Sequence, residues 1–505
     1  MKRLKKDPIS SQMQTKKIIV IGSGFGGIAA ALRMRAKGYE VDLHEKLDQI
    51  GGRARQFNQN GFIHDAGPTV ITAPYLFREL FEIFGEEIDD FIDFIPLDPW
   101  YRFRFHDGSF FNYGPNQDEL LEQIKAFGPK DVNGYLKMLK HAEKIFELGY
   151  LKLADQPFHK LSNLIRYTPD IIKLKGYQSV YQFVSTYLKH PNLRQAFSIQ
   201  PLLVGGNPFN TTSIYALIHA LEKKWGVFFA KGGTGEIVSQ LKMLMERKGI
   251  NIFLNSEINK IVTSQQKVDG IVNSKGNFYK TDYLITNADP IYTNNHLIDN
   301  KKISLHNKFI NKTAKHSMGL FVLFFGTKVK YEHIAHHTIW MGPRYKELLS
   351  DIFDLHKLAD DFSIYLHRPT ATDTNFAPMG CDSFYALIPV PNLKGNIAWE
   401  DEAPAFIKSI IKALEQTMMP KLTETICDSF YMTPENFLQD YNTPFGSGFS
   451  IAPLFRQSAW FRTHNKDDLY QNLFYVGAGT HPGAGVPGVL NSAKVIDKLI
   501  PNHEK

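Results

Sequence analysis

Three glycines at fixed spacing are the first residues in the chain whose types could do chemistry. Gly22, Gly24 and Gly27 form a Gly-x-Gly-x-x-Gly turn between the apolar run Lys17–Ile21 and an alanine-rich stretch that is typical of a helix. Gly22 permits a tight turn, Gly24 lets the backbone approach a pyrophosphate, and Gly27 lets the helix pack closely on the strand. The helix N-terminus then offers N–H groups to phosphates. This stretch predicts a dinucleotide site; the alternative is a glycine-rich turn that binds nothing.

The residues after the second predicted strand indicate which dinucleotide binds. Glu45 follows the apolar run Glu40–His44 and lies 23 residues after Gly22. This is close to the spacing at which a carboxylate binds a ribose 2′-OH, a group that is not free in NADP. The second glycine turn, Gly51–Arg55, carries Arg53, whose cationic fork suits a pyrophosphate. Because a nicotinamide enzyme does not need this second turn, we predict FAD.

A glycine- and proline-rich stretch near the C-terminus is the second strong signal. The apolar run that begins at Asn472 leads into Gly477–Val489, and a helix is predicted from about Val489 to Ile500. Backbone this rich in glycine approaches another group closely. A helix N-terminus beneath a flavin ring would stabilise negative charge on the reduced ring. The alternative is an ordinary loop.

Residues from both ends of the chain make up the predicted cofactor site. They are Gly22, Gly24, Phe25, Gly26, Gly27, Glu45, Lys46, Gly52, Arg53, Gly67, Pro68, Thr69, Ile258, Gly477, Gly479, Gly485, Val486 and Pro487. No acid/base pair is evident from the sequence. Asp65 is the one candidate for a chemical role, because it follows a predicted strand into the flavin region; capping a turn is the alternative.

The stretch Glu332–His337 has a spacing that resembles a set of metal ligands. It contains Glu332, His333, His336 and His337, but no further carboxylate or cysteine cluster accompanies it. We therefore predict no metal site.

Composition limits the class of protein. The chain has 505 residues, with 43% hydrophobic and 22% charged, which fits two or three domains with a large core. The net charge of +7 does not indicate a nucleic-acid binder but suits weak attraction to an anionic membrane surface. The two cysteines form no CxxC pair, which favours a reducing compartment without structural zinc. The basic segment Met1–Asp7 lacks a following apolar region, so no signal peptide is predicted.

The periodicity of the chain divides it into three parts. The βα pattern of residues 15–73 resumes at 226–304 and 466–505, and these segments are predicted to form one discontinuous FAD-binding domain. In the first of the two regions between them, 74–225 is mostly helical by period, although Tyr101–His106 and Phe110–Tyr113 read as a hairpin. The second region, 305–465, is rich in strands and aromatic residues. A helix is also predicted for Glu236–Arg247.

One segment of the helical region is both apolar and basic. Lys152–Lys175 mixes leucine, isoleucine and aromatic residues with five basic side chains. Such a helix can lie in a bilayer interface. The alternative is an ordinary helix that faces the core and has a solvated basic face.

Together these motifs resemble the FAD-dependent carotenoid desaturases, most closely the bacterial phytoene desaturases, over nearly the whole chain. The resemblance rests on Asp65–Thr72, Leu202–Phe209, His336–Thr338, Gly342–Tyr345, Gln457–Arg462 and Gly477–Val489. Two departures are His64, where relatives often have Phe, and Ala230, where they often have Pro. Both are expected near the cavity, where they could tune the range of products.

The resemblance implies an α/β fold. It consists of a Rossmann-like FAD-binding domain of the glutathione-reductase or amine-oxidase type, an inserted α+β substrate domain and a helical lid that contacts the membrane. It implies stepwise dehydrogenation of 15-cis-phytoene toward all-trans-lycopene, without a metal. It also implies quinone or oxygen as electron acceptor, and a cytoplasmic location with peripheral attachment to the inner membrane.

Two other classes of function stay open. One is a related enzyme on another polyene: a desaturase of diapophytoene or a hydroxycarotenoid, or a flavin-dependent carotenoid isomerase. The other is a non-enzymatic escort of prenylated proteins, which has the same fold without flavin. The glycine turns with Glu45 and Arg53 argue against the escort.

Overall fold

The structure is a computed structural model that describes residues 15–299 and 302–503. The basic segment Met1–Asp7, for which no signal peptide is predicted, lies outside these residues. Within the described ranges, no helix combines the length and the apolar character that crossing a bilayer requires.

The described residues form strands and helices in the following order. The strands are β1 Lys17–Ile21, β2 Glu40–His44, β3 Gln56–Gln59, β4 Phe62–Asp65, β5 Phe94–Pro96, β6 Tyr101–Phe105, β7 Phe110–Tyr113, β8 Phe228–Ala230, β9 Asn251–Phe253, β10 Ile258–Ser264, β11 Lys267–Asn273, β12 Phe278–Lys280, β13 Tyr283–Thr286, β14 Gly319–Thr327, β15 His337–Met341, β16 Ile364–His367, β17 Asp382–Val390, β18 Ile426–Met432 and β19 Leu473–Tyr475. The helices are α1 Phe25–Ala36, α2 Tyr75–Glu82, α3 Gln117–Phe127, α4 Asp131–Phe146, α5 Leu161–Lys173, α6 Val180–Tyr187, α7 Pro191–Ser198, α8 Leu217–Trp225, α9 Gly233–Arg247, α10 Pro290–Tyr292, α11 Leu305–Thr313, α12 Tyr345–Phe353, α13 Trp399–Thr417, α14 Leu422–Thr425, α15 Pro434–Tyr441 and α16 Val486–Leu499.

A parallel five-stranded sheet carries the glycine turns. Its strand order is β19-β13-β1-β2-β9, and every neighbouring pair is parallel. Helices α1 and α16 pack together with α9 against β1 and β2, while β10 and β11 contribute to a second apolar cluster with β1 and β13. Burial on both faces explains why Ile18–Ile21 is apolar without alternation.

The strands of this sheet come from the three segments that the sequence groups together. Because the sheet is parallel, the residues that follow β1, β2, β13 and β19 all meet at its carboxyl edge. This is the edge at which open α/β sheets bind their ligands. The boundaries of the three regions themselves stay a prediction.

A second, mixed sheet of seven strands has the order β18-β14-β17-β16-β15-β6-β7. Five of its six neighbouring pairs are antiparallel, and β15 runs parallel to β6. The predicted hairpin is confirmed: β6 and β7 pair antiparallel, with Tyr101 opposite Tyr113. The hairpin lies in the chain between helical segments, yet it extends the sheet formed by the 305–465 region.

Two predicted helices have different bounds in the structure. Helix α9 begins at Gly233, three residues before the predicted start, because the Asp65 carboxylate accepts hydrogen bonds from the N–H groups of Thr234 and Gly235. Helix α16 begins at Val486 and not near Val489, with Gly485 at its N-cap and Pro487 in its first turn.

The apolar and basic segment Lys152–Lys175 is not one helix. A π-helical stretch ends at Lys152 and α5 covers only Leu161–Lys173. Pro157 lies between these two helical parts; since proline lacks an N–H group and restricts the residue before it, it opposes a continuous helix.

Candidate functional site

The first glycine turn has no room for side chains. Gly22 has a φ of +87°, a region that L side chains rarely adopt. A Cβ atom on Gly27 would lie 2.0 Å from the carbonyl oxygen of Gly22, and one on Gly24 would lie 2.8 Å from Nδ2 of Asn287. This is the close approach of helix and strand that the sequence predicts.

Glu45 lies directly beside this turn. Its Oε2 accepts hydrogen bonds from the backbone N–H of Ser23 at 2.8 Å and from the Ser23 hydroxyl at 2.5 Å. Its Oε1 accepts from the N–H of Leu47 at 2.9 Å. The carboxylate is buried and held by the loop itself, at the position where the sequence predicts a ribose ligand. That role stays a prediction.

The second glycine turn presents an incompletely paired guanidinium group. Gly51 and Gly52 have φ angles of +107° and +55°. Arg53 lies near the Tyr441 ring, with Cζ 5.6 Å from the ring centroid. Its Nε atom is buried without a hydrogen-bond partner among the described residues, and burial lowers its pKa. A buried N–H of a cationic group that lacks a partner is costly, so this position fits an anionic ligand such as a pyrophosphate.

The C-terminal turn closes the site from the other side. Gly477 and Gly485 have φ angles of +96° and +93°, and the N–H of Gly477 donates to the hydroxyl of Ser492 at 2.8 Å. A Cβ atom on Gly26 would lie 3.0 Å from the nitrogen of Gly477. The two ends of the chain therefore meet within contact distance across the carboxyl edge of the sheet.

A hydroxyl cluster stands where Gly67–Thr69 reaches the second sheet. The Thr69 hydroxyl lies 2.6 Å from that of Tyr385 and 3.1 Å from that of Tyr365. The Tyr365 hydroxyl also lies 2.7 Å from Nδ1 of His337. Because these side chains bond to one another, the predicted cofactor residue Thr69 is fixed by the seven-stranded sheet.

One cavity of about 480 Å³ joins most of the predicted cofactor residues. Those that line it are Gly24, Phe25, Gly26, Arg53, Gly67, Pro68, Thr69, Gly477, Gly485, Val486 and Pro487. The remaining seven lie outside its lining: Gly22, Gly27, Glu45, Lys46, Gly52, Ile258 and Gly479.

Three of these seven have contacts that explain their position. The Lys46 ammonium group donates to the Gln439 carbonyl and to Asn442. Ile258 is buried in the cluster behind the parallel sheet, and Gly479 packs so closely on Pro290 that a Cβ atom would lie 2.3 Å from its ring.

Away from the glycine turns the cavity wall is mainly aliphatic and aromatic. The apolar side chains in it include Leu148, Leu153, Phe158, Leu164, Ile171, Ile199, Leu202, Leu203, Ile214, Leu217, Leu221, Leu320, Val322, Ile339, Leu387, Phe437 and Phe449. Such a wall suits an apolar ligand without charged groups. Neither His64 nor Ala230, which are expected near the cavity, belongs to its lining. His64 packs between Phe324 and Phe430, and Ala230 is a buried residue of β8.

The side chain of Asp65 has a structural role. Its carboxylate accepts from the N–H groups of Thr234 and Gly235 and from the Gln56 amide at 3.0 Å. Burial raises the pKa of Asp65 to about 6, and these hydrogen bonds oppose the shift. The carboxylate caps α9 and does not line the cavity. These contacts correspond to a capping role, here for a helix and not for a turn.

The ligand-like histidines separate in the structure. His333 contacts the Met418 carbonyl at 2.7 Å, whereas His336 and His337 meet His367, with one ring nitrogen from each lying within 4.8 Å of the others. Burial lowers the pKa of His337 to about 3 and the pKa values of His336 and His367 well below the usual value. All three imidazoles are therefore neutral. His367 was not among the predicted candidates because it comes from a distant strand.

Two residues at the site escaped prediction. Asn287 follows β13, and its side chain occupies the space that side chains on Gly24, Gly26 and Gly477 would fill. Arg462 is buried and donates to the Ala478 carbonyl at 2.7 Å, which ties the C-terminal turn in place. Asn287 directly follows a strand that the sequence predicts, and this position could have identified it as a site residue. For Arg462 the only indication was that it belongs to the motif Gln457–Arg462.

Comparison with known proteins agrees with this architecture. The model of the family described as flavin containing amine oxidoreductase matches residues 25–495. A lycopene-forming phytoene desaturase of Pantoea ananas is 43% identical over 96% of this chain and 99% of its own length. Another, of Pseudescherichia vulneris, is 44% identical with the same coverage. A neurosporene-forming phytoene desaturase of Cereibacter sphaeroides is 41% identical over 98% of this chain and 96% of its own length.

Solved structures share the fold at low sequence identity. An oxidoreductase from Methanosarcina mazei has a TM-score of 0.65 at 14% identity, covering 95% of this chain and 100% of that one. Putrescine oxidase has a TM-score of 0.63 at 12% identity, covering 96% and 98%. The family description names a flavin, and the glycine turns and the incompletely paired Arg53 fit its dinucleotide form, FAD. The chain belongs to the flavin containing amine oxidoreductase family and, within it, to the phytoene desaturases.

Proposed function

We propose that the chain desaturates phytoene in successive steps to lycopene. The chain is an FAD-dependent oxidoreductase. The observation that carries the choice of substrate is one cavity that begins at the glycine turns and continues between apolar walls. Lycopene-forming relatives at 42–44% identity over almost the full chain support the same substrate and product.

The apolar wall supplies the binding energy. Phytoene is a hydrocarbon without polar groups, so its affinity comes from burial of apolar surface, at roughly 25 cal/mol per Å². The walls also exclude water from the reacting carbons. One contribution of the chain to the chemistry is therefore positioning: the cavity would present one C–C bond at a time to the bound flavin. Bound FAD supplies a two-electron acceptor.

The cofactor residues are proposed to divide the dinucleotide among them. Glu45 binds the ribose, Arg53 and the first glycine turn bind the pyrophosphate, and Gly67–Thr69 with Gly485–Pro487 face the flavin ring. Support comes from the incompletely paired Arg53 Nε and from the lining of the cavity by residues of all these segments except Glu45. The N-terminus of α16, which lines the cavity, supplies positive partial charge there.

Helix α5 is proposed to contact a membrane surface. None of its residues is buried, and Leu161, Ile165 and Ile172 are 50%, 66% and 58% exposed. Leu164 and Ile171 of the same helix line the cavity. Helix α5 therefore lies between the cavity and the outside, with apolar side chains toward both.

The basic residues of this segment strengthen the proposal. Lys160, Arg166 and Lys173 lie among the exposed apolar residues. Anionic lipid attracts each such charge by about 1 kcal/mol near the surface. A hydrocarbon substrate resides in lipid, so a lid on the lipid surface gives it a path into the cavity. Quinone or oxygen as electron acceptor, and attachment to the cytoplasmic face of the inner membrane, stay predictions from the sequence.

Pigment analysis in a bacterium that accumulates phytoene tests the proposed function. Expression of the chain should replace phytoene by lycopene, read as a three-peaked absorbance band after chromatography. Neurosporene, the product of the relatives at 41% and 38% identity, would mean the same chemistry stopping one step earlier. Unchanged phytoene in cells that contain flavin-loaded protein would refute the substrate.

A further inference from the structure

The proposed reaction needs a proton acceptor, and the cofactor residues do not include one. Each new double bond requires the loss of two hydrogens from adjacent carbons, and one of them leaves as a proton. Asp65, the candidate suggested by the sequence, is outside the cavity lining. Another base would have to come from the walls of the cavity.

Glu222 is the one carboxyl group among the described residues that line the cavity. It lies in α8, near the C-terminal end of that helix, and is fully buried. No lysine, arginine or histidine within the described ranges forms an ion pair with it at hydrogen-bond distance. A buried carboxyl group without a counter-charge is costly to the fold.

The two oxygens of Glu222 have different surroundings. Oε1 accepts a hydrogen bond from the Tyr101 hydroxyl at 2.9 Å, which ties α8 to the hairpin of the seven-stranded sheet. Oε2 is buried and has no partner at hydrogen-bond distance among the described residues, although the Tyr113 hydroxyl, which is likewise buried without a partner, faces the carboxyl group. A purely structural role accounts for Oε1, which a glutamine could serve equally well. It leaves the choice of an ionisable group without an explanation.

We propose that Glu222 is the catalytic base that takes the proton from the carotenoid at each desaturation. The proposal rests on the proposed function, since it assumes a hydrocarbon in the cavity. Two C–H bonds of adjacent carbons break. One hydrogen leaves with its electron pair to FAD, the two-electron acceptor, and the other leaves as a proton to Oε2 of Glu222. The electron pair left by that proton forms the new C=C bond, and release of the proton restores the carboxylate.

The groups around Glu222 leave it free to titrate alone. Tyr101 of β6, Tyr113 of β7 and Tyr135 of α4 face the carboxyl group, and burial raises the pKa of each phenol, so all are neutral. His219, one turn earlier on α8, has a pKa lowered to about 4 by burial and is also neutral. Burial raises the pKa of Glu222 to about 8, while Tyr101 and Tyr113 oppose the shift. The fraction of reactive carboxylate should therefore grow as pH rises through about 8.

The test compares the flavin-loaded full chain with three variants on phytoene in liposomes. Glu222→Gln preserves the shape and the bond from Tyr101 but accepts no proton, and should slow desaturation by about 100-fold or more. Its flavin absorbance and its phytoene binding should match those of the unaltered chain. Glu222→Asp should retain part of the rate together with the rise in rate toward alkaline pH. Glu402→Gln, an exposed change on α13, is the matched control.

A fourth variant distinguishes a role of Glu222 as a base from a purely structural role. Tyr101→Phe removes the hydrogen bond that favours the carboxylate, so the rise in rate should move to higher pH. An unaltered rate and pH profile in Glu222→Gln, while the unaltered chain converts phytoene, would overturn this proposal alone. Failure of the unaltered, flavin-loaded chain to convert phytoene would instead overturn the proposed function, and this proposal with it.

Discussion

Gly27 lies so close to Gly22 that a Cβ atom on it would stand 2.0 Å from the Gly22 carbonyl oxygen. Helix α1 can approach β1 only because this position has no side chain. Gly27→Ala should therefore force the helix away from the strand, at a cost of about 1–3 kcal/mol in the free energy of unfolding. It should also weaken FAD binding, because the N-terminus of α1 moves with it.

Flavin absorbance per chain and urea unfolding, with and without added FAD, measure the two effects. Gly128→Ala is the control, since the added atom would lie 3.2 Å from the nearest atom, the end of the Asp131 side chain. Equal flavin content and stability in Gly27→Ala and the control would contradict the account of this turn.

The incompletely paired guanidinium of Arg53 leads to a prediction about affinity. Arg53→Lys keeps the charge but loses the planar fork, so FAD should bind more weakly by about 1.5–3 kcal/mol, or roughly 10- to 100-fold in Kd. Titration of the flavin-free chain with FAD, followed by fluorescence, gives the value. Arg247→Lys is the control for the effect of an Arg-to-Lys change on FAD affinity, because Arg247 pairs with Glu86 on the surface. If both variants bind FAD like the unaltered chain, Arg53 does not hold the pyrophosphate.

The exposed apolar side chains of α5 should be required for attachment of the protein to lipid. Replacing Ile165 and Ile172 by Ser removes exposed apolar surface without touching a buried residue. The doubly altered chain should sediment less with vesicles that contain anionic lipid, while the flavin spectrum stays the same. Leu355→Ser is the matched control, because Leu355 is 67% exposed on another part of the surface. Equal sedimentation of all three chains would place the membrane contact elsewhere.

The sequence predicts no metal, and the three neutral imidazoles of His336, His337 and His367 make this worth measuring. Metal analysis of the purified holoenzyme should find no transition metal in stoichiometric amount, and chelator should leave the rate unchanged. One equivalent of zinc, copper or iron, lost on replacement of His367 by Phe, would refute the prediction.

Buried His64 makes stability depend on pH in a defined direction. Burial lowers the pKa of His64 to about 4, against about 6.5 in the unfolded chain. The unfolded state therefore binds more protons between these values, so stability is present above about pH 6.5 and is lost as pH falls toward 4. His64→Phe should flatten this loss by up to about 1.4 kcal/mol per pH unit. Urea unfolding at several pH values measures it, and an unchanged slope would mean that His64 is not neutral in the fold.

The parts of the fold that follow from local pattern could be predicted from the sequence. The apolar run before Gly22, the hairpin signal at Asp107-Gly108 and the strand before Asn287 each carry their own signature, and the structure contains each of these elements. Helix starts were misplaced where a distant residue supplies the cap, as Asp65 does for α9. Pairings between remote strands, such as β15 with β6, have no local signal.

The candidate site, like the fold, could be predicted only in part from the sequence. The glycine turns could be predicted because their backbone geometry requires glycine, and in the structure these turns line one cavity. Glu222 could not be found, because a single carboxylate in a helix is usually a solvated residue. Only its burial against Tyr101 sets it apart. The cluster of His336, His337 and His367 could not be predicted either, because it forms only where β15 pairs with β16.

Anaerobic mixing of the flavin-loaded chain with phytoene in liposomes tests the central claim most directly. Without an electron acceptor, each flavin can support one desaturation. The account predicts loss of the oxidised-flavin absorbance together with about one new double bond per flavin, read from the carotenoid spectrum. Readmission of quinone or oxygen should then carry the product on to lycopene. Flavin that keeps its absorbance although phytoene is bound would contradict the account.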